Sequence, residues 1–175
     1  APAWAQLGRI YRLLPKYFDE DARENYMRSA DAFHRALELS PDLPLAHNLY
    51  TYLEVEMGQA KEAMIRLLRR AKARGSDAAL FAGLVQASRY CALLDASAAA
   101  YERVRRLDPN LSTSAAYTYW MLGDYEKVMT SDREHVSFVK SYALIMMGRQ
   151  DEVLESYRHS EKRILHPGAV RIFGG

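Results

Sequence analysis

Residues 4–11 read Trp-Ala-Gln-Leu-Gly-Arg-Ile-Tyr and form the first copy of a pattern that recurs along the chain. Apolar residues recur here and later at spacings of three and four positions, which is the period of an α-helix. The breaks at Pro41 and Pro109 lie 68 positions apart, twice 34, and Gly75 falls midway between them. The sequence therefore predicts helices of roughly 10–15 residues, joined by short turns and repeated in units of about 34 residues.

Evidence for β-strands is weak throughout the chain. No segment alternates cleanly between apolar and polar residues for more than a few positions, and the apolar positions hold mostly Ala, Leu, Met and Tyr. An all-α fold without a β-sheet is therefore predicted. Gly58, Gly123 and Gly148 are expected to end helices in the left-handed conformation, because glycine adopts it without a steric penalty.

The 34-residue pattern resembles the tetratricopeptide repeat (TPR), a helix–turn–helix unit with the signature W-x2-L-G-x2-Y, then A-x3-F, then P. Trp4, Leu7, Gly8 and Tyr11 match the first part of this signature without a mismatch. The resemblance covers nearly the whole chain, so it implies a single helical repeat domain over residues 1–175. That domain would be an α-α superhelix, a TPR-like solenoid of about five helix pairs, with the first helix of each pair lining a concave face.

The second half of the first unit arrives nine residues later than the signature requires, with Phe33 at its aromatic position. The segment Leu13–Asp21 is therefore predicted to be an inserted irregular loop or extra turn that projects from the first pair, because Pro15 disfavours continuation of the preceding helix. Its acidic run, residues 19–21, is interpreted as a solvated group before a helix N-terminus rather than as a catalytic cluster.

In the later units, the positions defined by the signature hold residues of similar size to those of the signature. Ala92 replaces the turn glycine of the third unit, whereas Gly58, Gly123 and Gly148 occupy that place in the second, fourth and fifth units. Small residues at the packing positions should let neighbouring helices approach closely, while aromatic rings fill the gaps between them. The rings expected to be buried in this way are those of Trp4, Phe33, Phe81, Tyr101 and Tyr157.

Two segments are similar to repeat regions attached to bacterial signalling proteins, such as serine/threonine kinases and nucleotide cyclases. They are residues 107–110, Leu-Asp-Pro-Asn, and residues 120–126, Trp-Met-Leu-Gly-Asp-Tyr-Glu. The sequence also lacks an initiator Met and opens inside the periodic pattern. We therefore expect a fragment of a longer protein, located in the cytoplasm.

Composition and motif content argue against several other classes of protein. The 24 Lys and Arg residues against 22 Asp and Glu leave a formal charge of +2, without the basic excess typical of nucleic-acid binders. Cys91 is the only cysteine, and the sequence lacks phosphate-binding, nucleophile-elbow and zinc-protease motifs. No histidine is paired at the spacing of a helical metal site, among His34, His47, His135, His159 and His166. Neither a cofactor, a metal site, a membrane span nor an enzymatic activity is therefore predicted.

The resemblance also implies a candidate binding groove on the first helices, where repeat positions three and four apart share one side. The residues assigned to this groove are Arg9, Arg12, Asn48, Tyr52, Glu56, Gln86, Arg89, Tyr90, Tyr117, Trp120 and Tyr142. Aromatic and Arg side chains supply most hot spots of protein interfaces. The predicted partner is therefore a protein, as a peptide, a helix or a neighbouring domain of the parent chain. The alternative is that several of these rings pack against the next unit.

Chaperone-binding members of the family hold a terminal carboxylate with Lys and Asn side chains at defined groove positions. In this sequence those positions carry Ala5, Arg9, Leu49, Ala79 and Gly83. The carboxylate clamp is therefore predicted to be absent, and an internal segment of the partner is expected instead.

The strongest positive stretch of the chain is residues 66–74, which contain Arg66, Arg69, Arg70 and Arg74. An alternative function follows from it, because such a stretch could bind an anion, a nucleic acid or an anionic membrane. The competing interpretation is structural, since positive charge near the C-terminus of a helix stabilises the helix dipole.

Overall fold

The computed structural model describes residues 1–18, 21–73, 75–131 and 138–156, and all regular secondary structure in these ranges is helical. The helices are α1 (Pro2–Tyr17), α2 (Ala22–Leu39), α3 (Pro44–Glu56), α4 (Ala60–Ala73), α5 (Ala78–Tyr90), α6 (Leu94–Leu107), α7 (Ala115–Leu122), α8 (Tyr125–Ser131) and α9 (Phe138–Met146). A further helical segment, residues 150–156, follows α9. The helices pack in adjacent pairs. The predicted all-α superhelix of about five helix pairs is confirmed.

The packing divides the helices into two layers. The first helices of successive pairs contact one another in the series α1, α3, α5, α7 and α9. Within the described chain, α2, α4, α6 and α8 contact first helices but not each other. The first helices are thus closer together than the second helices. The stack therefore curves, with the first helices on its inner side.

Close approach between the layers depends on small residues. The Phe33 ring lies against Gly8, where an added Cβ would come within 2.9 Å of ring atoms. Two buried serines also bridge helices: Ser29 donates to the Gly8 carbonyl across 2.7 Å, and Ser97 donates to the Val85 carbonyl. These contacts explain why the framework favours glycine, alanine and serine at such positions.

Helix ends follow the predicted turn chemistry. Gly58, Gly123 and Gly148 have φ values of +78°, +74° and +74°, so their predicted left-handed conformation is confirmed. Ala92 occupies the equivalent turn with φ +59°, and no other non-glycine residue in the described chain has a positive φ. A Cβ in this region is strained, because it crowds the following carbonyl oxygen.

Replacing Ala92 by glycine is expected to raise the free energy of unfolding by about 1 kcal/mol, because the strain is removed. Urea denaturation followed by circular dichroism measures the change. Gly58→Ala is the matched reverse substitution, since the added Cβ would meet nothing within 4 Å and only the backbone conformation is penalised. It should lower stability by a similar amount. A neutral Ala92→Gly beside a destabilising Gly58→Ala would contradict the strain argument.

The predicted loop over Leu13–Asp21 is wrong for most of its length, because α1 continues to Tyr17 with Pro15 inside the helix. Pro15 lies near the helix C-terminus, so its missing N–H removes only one hydrogen bond close to an end. Lys16 forms an ion pair with Glu56 on α3, which holds the last turn of α1 in place. The insertion therefore lengthens the first helix instead of interrupting it. Residues 19 and 20 lie outside the described ranges.

The aromatic core is only partly as predicted. Phe33 and Tyr101 are buried, as expected, whereas Phe81 is half-buried beneath the Arg103 guanidinium. Trp4 is expected in the core but is 41% exposed, because α1 contacts only α2 and α3 among the described helices and one of its sides is uncovered. Tyr157 lies outside the described residues.

Candidate functional site

A cavity of about 710 Å³ opens on the inner side of the stack, lined by side chains from α1, α3, α5 and α7, by the turn after α5 and by the residue before α7. We call it the groove. Its lining residues are Arg12, Lys16, Tyr52, Glu56, Gln86, Arg89, Tyr90, Ala92, Ser114, Tyr117, Trp120 and Met121. Most belong to the C-terminal halves of their helices. The groove therefore crosses four helices near one edge of the inner layer.

The structure brings eight of the eleven sequence-assigned residues to the groove: Arg12, Tyr52, Glu56, Gln86, Arg89, Tyr90, Tyr117 and Trp120. Arg9, Asn48 and Tyr142 do not line it. Arg9 and Asn48 precede Arg12 and Tyr52 by about one helical turn, so they lie further toward the N-terminal ends of α1 and α3. Tyr142 is on α9, beyond the last helix that contributes to the lining.

Four lining residues were missed by sequence reasoning: Lys16, Ala92, Ser114 and Met121. Lys16 falls in the predicted loop. A continuous helix places Lys16 on the same face as Arg12, four positions earlier. This spacing could have assigned Lys16 to the groove if the helix had been predicted to continue. The other three lie in turns or at a helix end, where helical periodicity does not specify orientation.

A charged cluster closes one end of the groove. Arg12 and Lys16 both donate to the same oxygen, Oε1, of Glu56, although Arg12 and Glu56 are 44 positions apart in sequence. The Arg12 guanidinium also lies over the Tyr52 ring, 5.2 Å from its centroid. One carboxylate thus holds two cations, and the ring fixes the position of the more buried one.

Arg89 lies at the middle of the groove and is 8% exposed. Its Nη1 donates to the carbonyl oxygen and hydroxyl of Ser114 across 2.6 and 3.0 Å. The guanidinium also contacts the rings of Tyr90 and Tyr117, at 5.4 and 5.3 Å from their centroids. Burial lowers the pKa of Arg89 from its usual value, but an arginine side chain remains charged in proteins.

Three buried polar atoms of lining residues have no hydrogen-bond partner in the structure: Arg12 Nε, Glu56 Oε2 and Gln86 Oε1. Buried polar atoms are nearly always satisfied in folded proteins. These three atoms have almost no exposed surface, so they lie behind the groove wall and are not contact points for a bound molecule.

An exposed aromatic band continues from the groove toward α9. The ring centroids of Tyr117 and Phe138 are 5.7 Å apart, those of Phe138 and Tyr142 are 6.2 Å apart, and both pairs meet edge to face. Trp120 and Met121 are exposed beside this band and line the groove. Tyr142 is thus connected to the groove through Phe138, although it does not line the cavity.

Two arginines of the basic stretch, Arg66 and Arg70, are committed to internal contacts. Arg66 forms an ion pair with Glu54 and donates to His47 Nδ1 across 2.8 Å and to Thr51 Oγ1 across 3.0 Å. Arg70 donates to the Pro41 carbonyl and to Asp42. Of the other two arginines of this stretch, Arg69 is exposed and Arg74 lies outside the described residues.

His47 serves the packing of α3 rather than a reactive site. Its Nε2 faces the Pro41 carbonyl, which can only accept, and its Nδ1 faces the Arg66 guanidinium, which can only donate. These partners select the neutral ring protonated at Nε2. Burial also lowers the pKa of His47, which favours the same neutral form. His135, His159 and His166 lie outside the described residues.

Metal clusters and membrane-spanning helices are absent from the described ranges. No group of three or more His, Cys, Asp and Glu side chains there is arranged to hold a metal ion. None of the helices in the same ranges combines the length and the apolar character needed to cross a membrane. Cys91 is a free, half-buried thiol in the turn after α5.

Comparison with solved structures identifies the fold. The crystal structure of TTC0263, a thermophilic TPR protein in Thermus thermophilus, is similar to this chain with a TM-score of 0.68. The match covers 98% of this chain and 95% of that chain at 18% sequence identity. No protein-family model matches the chain, and no curated protein matches it. The chain therefore has the fold of a TPR protein.

Proposed function

We propose that this protein is a non-enzymatic interaction scaffold that binds an extended or helical segment of a protein partner in the groove. The observation that carries the proposal is the convergence of aromatic and arginine side chains from four helices on one open cavity. Such side chains give large contact area and supply most of the hot spots of protein interfaces.

The context of this function is also a proposal. The likeness of residues 107–110 and 120–126 to repeats of bacterial signalling proteins supports placing the scaffold beside a signalling domain, in the cytoplasm. We rank the anion-binding alternative on α4 lower, because two of its four arginines, Arg66 and Arg70, are held by Glu54 and Asp42.

The two tryptophans of the chain provide a matched test of the groove. Trp120 lines the groove and Trp4 does not, and both are 41% exposed. Peptides selected from a random display library on the full chain serve as the probe. Trp120→Ala should weaken their binding by about 30-fold, the effect of a central hot spot, whereas Trp4→Ala should leave the affinity unchanged.

Titration calorimetry measures both affinities, and circular dichroism establishes that each variant keeps its helicity. Enrichment of no peptide would contradict the proposed function. Equal loss in the two variants, or loss in Trp4→Ala alone, would place binding outside the groove.

A further inference from the structure

The charges around the groove are unbalanced. Three lining side chains are cationic, Arg12, Lys16 and Arg89, and one is anionic, Glu56. Glu56 contacts the first two cations. Among the described residues, no carboxylate forms an ion pair with Arg89. The groove therefore carries an excess of positive charge, centred on a buried guanidinium.

A buried charge without a counterion is costly, because its hydration is lost and nothing of opposite charge replaces it. Contacts of Arg89 with the Ser114 carbonyl, the Ser114 hydroxyl and two tyrosine rings offset part of this cost. All of these groups are neutral. Both hydrogen bonds to Ser114 come from one nitrogen, Nη1, and Arg89 forms a further side-chain hydrogen bond with Tyr90, so these neutral groups use only part of the five N–H donors of the guanidinium. The position is thus suited to a ligand that supplies a negative charge.

We propose that the partner segment presents an internal acidic side chain, Asp or Glu, whose carboxylate pairs with Arg89. A guanidinium matches a carboxylate in geometry as well as charge, since two parallel N–H···O bonds can form. An apolar side chain beside the acid packs on Trp120 and Met121. This inference rests on the proposed function and specifies its ligand.

Charge complementarity also distinguishes this occupant from the chain's own C-terminal sequence. Residues 157–175 contain Arg158, Lys162, Arg163 and Arg171 against a single acidic residue, Glu161. A segment of that composition has the same sign as the groove and would be repelled by it. An acidic segment from a partner protein fits the observed charges.

The test is a double-mutant cycle between the protein and a selected peptide. The library peptides should be enriched in Asp or Glu next to an apolar residue. Replacing that acid by its amide, Glu→Gln or Asp→Asn, should weaken binding to the wild-type chain by about tenfold or more. With Arg89→Gln the same peptide change should have almost no effect, because the paired cation is gone. Amidation of the peptide C-terminus should leave binding to the wild-type chain unchanged.

Each other outcome has a defined meaning. Peptides that require Trp120 but carry no acidic residue would overturn this inference and leave the proposed function standing. If the acid-to-amide change weakens binding equally to the wild-type and Arg89→Gln chains, the acid pairs with another cation. If amidation of the peptide C-terminus abolishes binding, the groove holds a terminal carboxylate. Either result overturns the pairing with Arg89. If Arg89→Gln loses helicity, Arg89→Lys replaces it in the cycle. That variant keeps the charge but not the planar fork, so the amide effect should shrink without disappearing; an undiminished effect would overturn the pairing.

Discussion

Replacing Phe33 by alanine should lower the free energy of unfolding by about 3–5 kcal/mol. The Phe33 side chain is fully buried, its ring centroid is 5.5 Å from that of Tyr50, and its edge lies against Gly8. Alanine would leave a cavity between α1, α2 and α3 that the backbone at Gly8 cannot fill. Urea denaturation followed by circular dichroism measures the loss, since the helices supply the signal.

Phe81→Ala is the control for this prediction. Phe81 also occupies a framework aromatic position, but it is half-buried and its ring is covered by the Arg103 guanidinium, 5.7 Å from the centroid. The same substitution removes less buried area there, so the loss should be clearly smaller. Equal losses at the two positions would show that burial of the ring does not determine the cost.

The repeat architecture could be predicted from the sequence because its signals are local. The 34-residue spacing and the glycines at 58, 123 and 148 report helix length and helix ends directly. Pro15 misled the prediction because proline penalises a helix interior far more than a helix end, and the end of α1 is set by contacts with α3. Exposure of Trp4 likewise depends on which helices cover α1, a long-range property.

The inner face of the groove could be predicted, but not its position along the helices. Helical spacing determines which side chains share a face. It does not determine where along that face neighbouring helices separate to open a cavity. Arg12 and Tyr52 line the cavity while Arg9 and Asn48, about one turn earlier on the same helices, do not. The pairing of Arg12 with Glu56 spans 44 positions and has no local signature.

The contacts of Arg66, on the outer layer, also depend on long-range packing that the sequence does not reveal. Residues 66–74 could be interpreted from sequence as an anion-binding surface or as a helix C-terminus. In the structure, Arg66 on α4 reaches three polar partners on α3, namely Glu54, His47 and Thr51, and its guanidinium lies 5.4 Å from the Tyr50 ring centroid. This cluster joins the two helices of the second pair. Its members are therefore expected to matter for stability.

Replacing Glu54 by alanine should lower the free energy of unfolding by about 3 kcal/mol, because a largely buried guanidinium loses its counterion. The side chains of Glu54 and Arg66 are 8% and 23% exposed, so water can replace the carboxylate only in part. Glu38→Ala is the matched control, since the Arg35–Glu38 pair is exposed on both sides and such pairs contribute about 0–1 kcal/mol. Urea denaturation at low and high salt measures both variants. The stability loss in Glu38→Ala should vanish at high salt, whereas the loss in Glu54→Ala should persist, because buried ion pairs are screened less than exposed ones. If both variants lose the same stability and salt screens both losses equally, the Arg66 cluster does not hold α3 and α4 together.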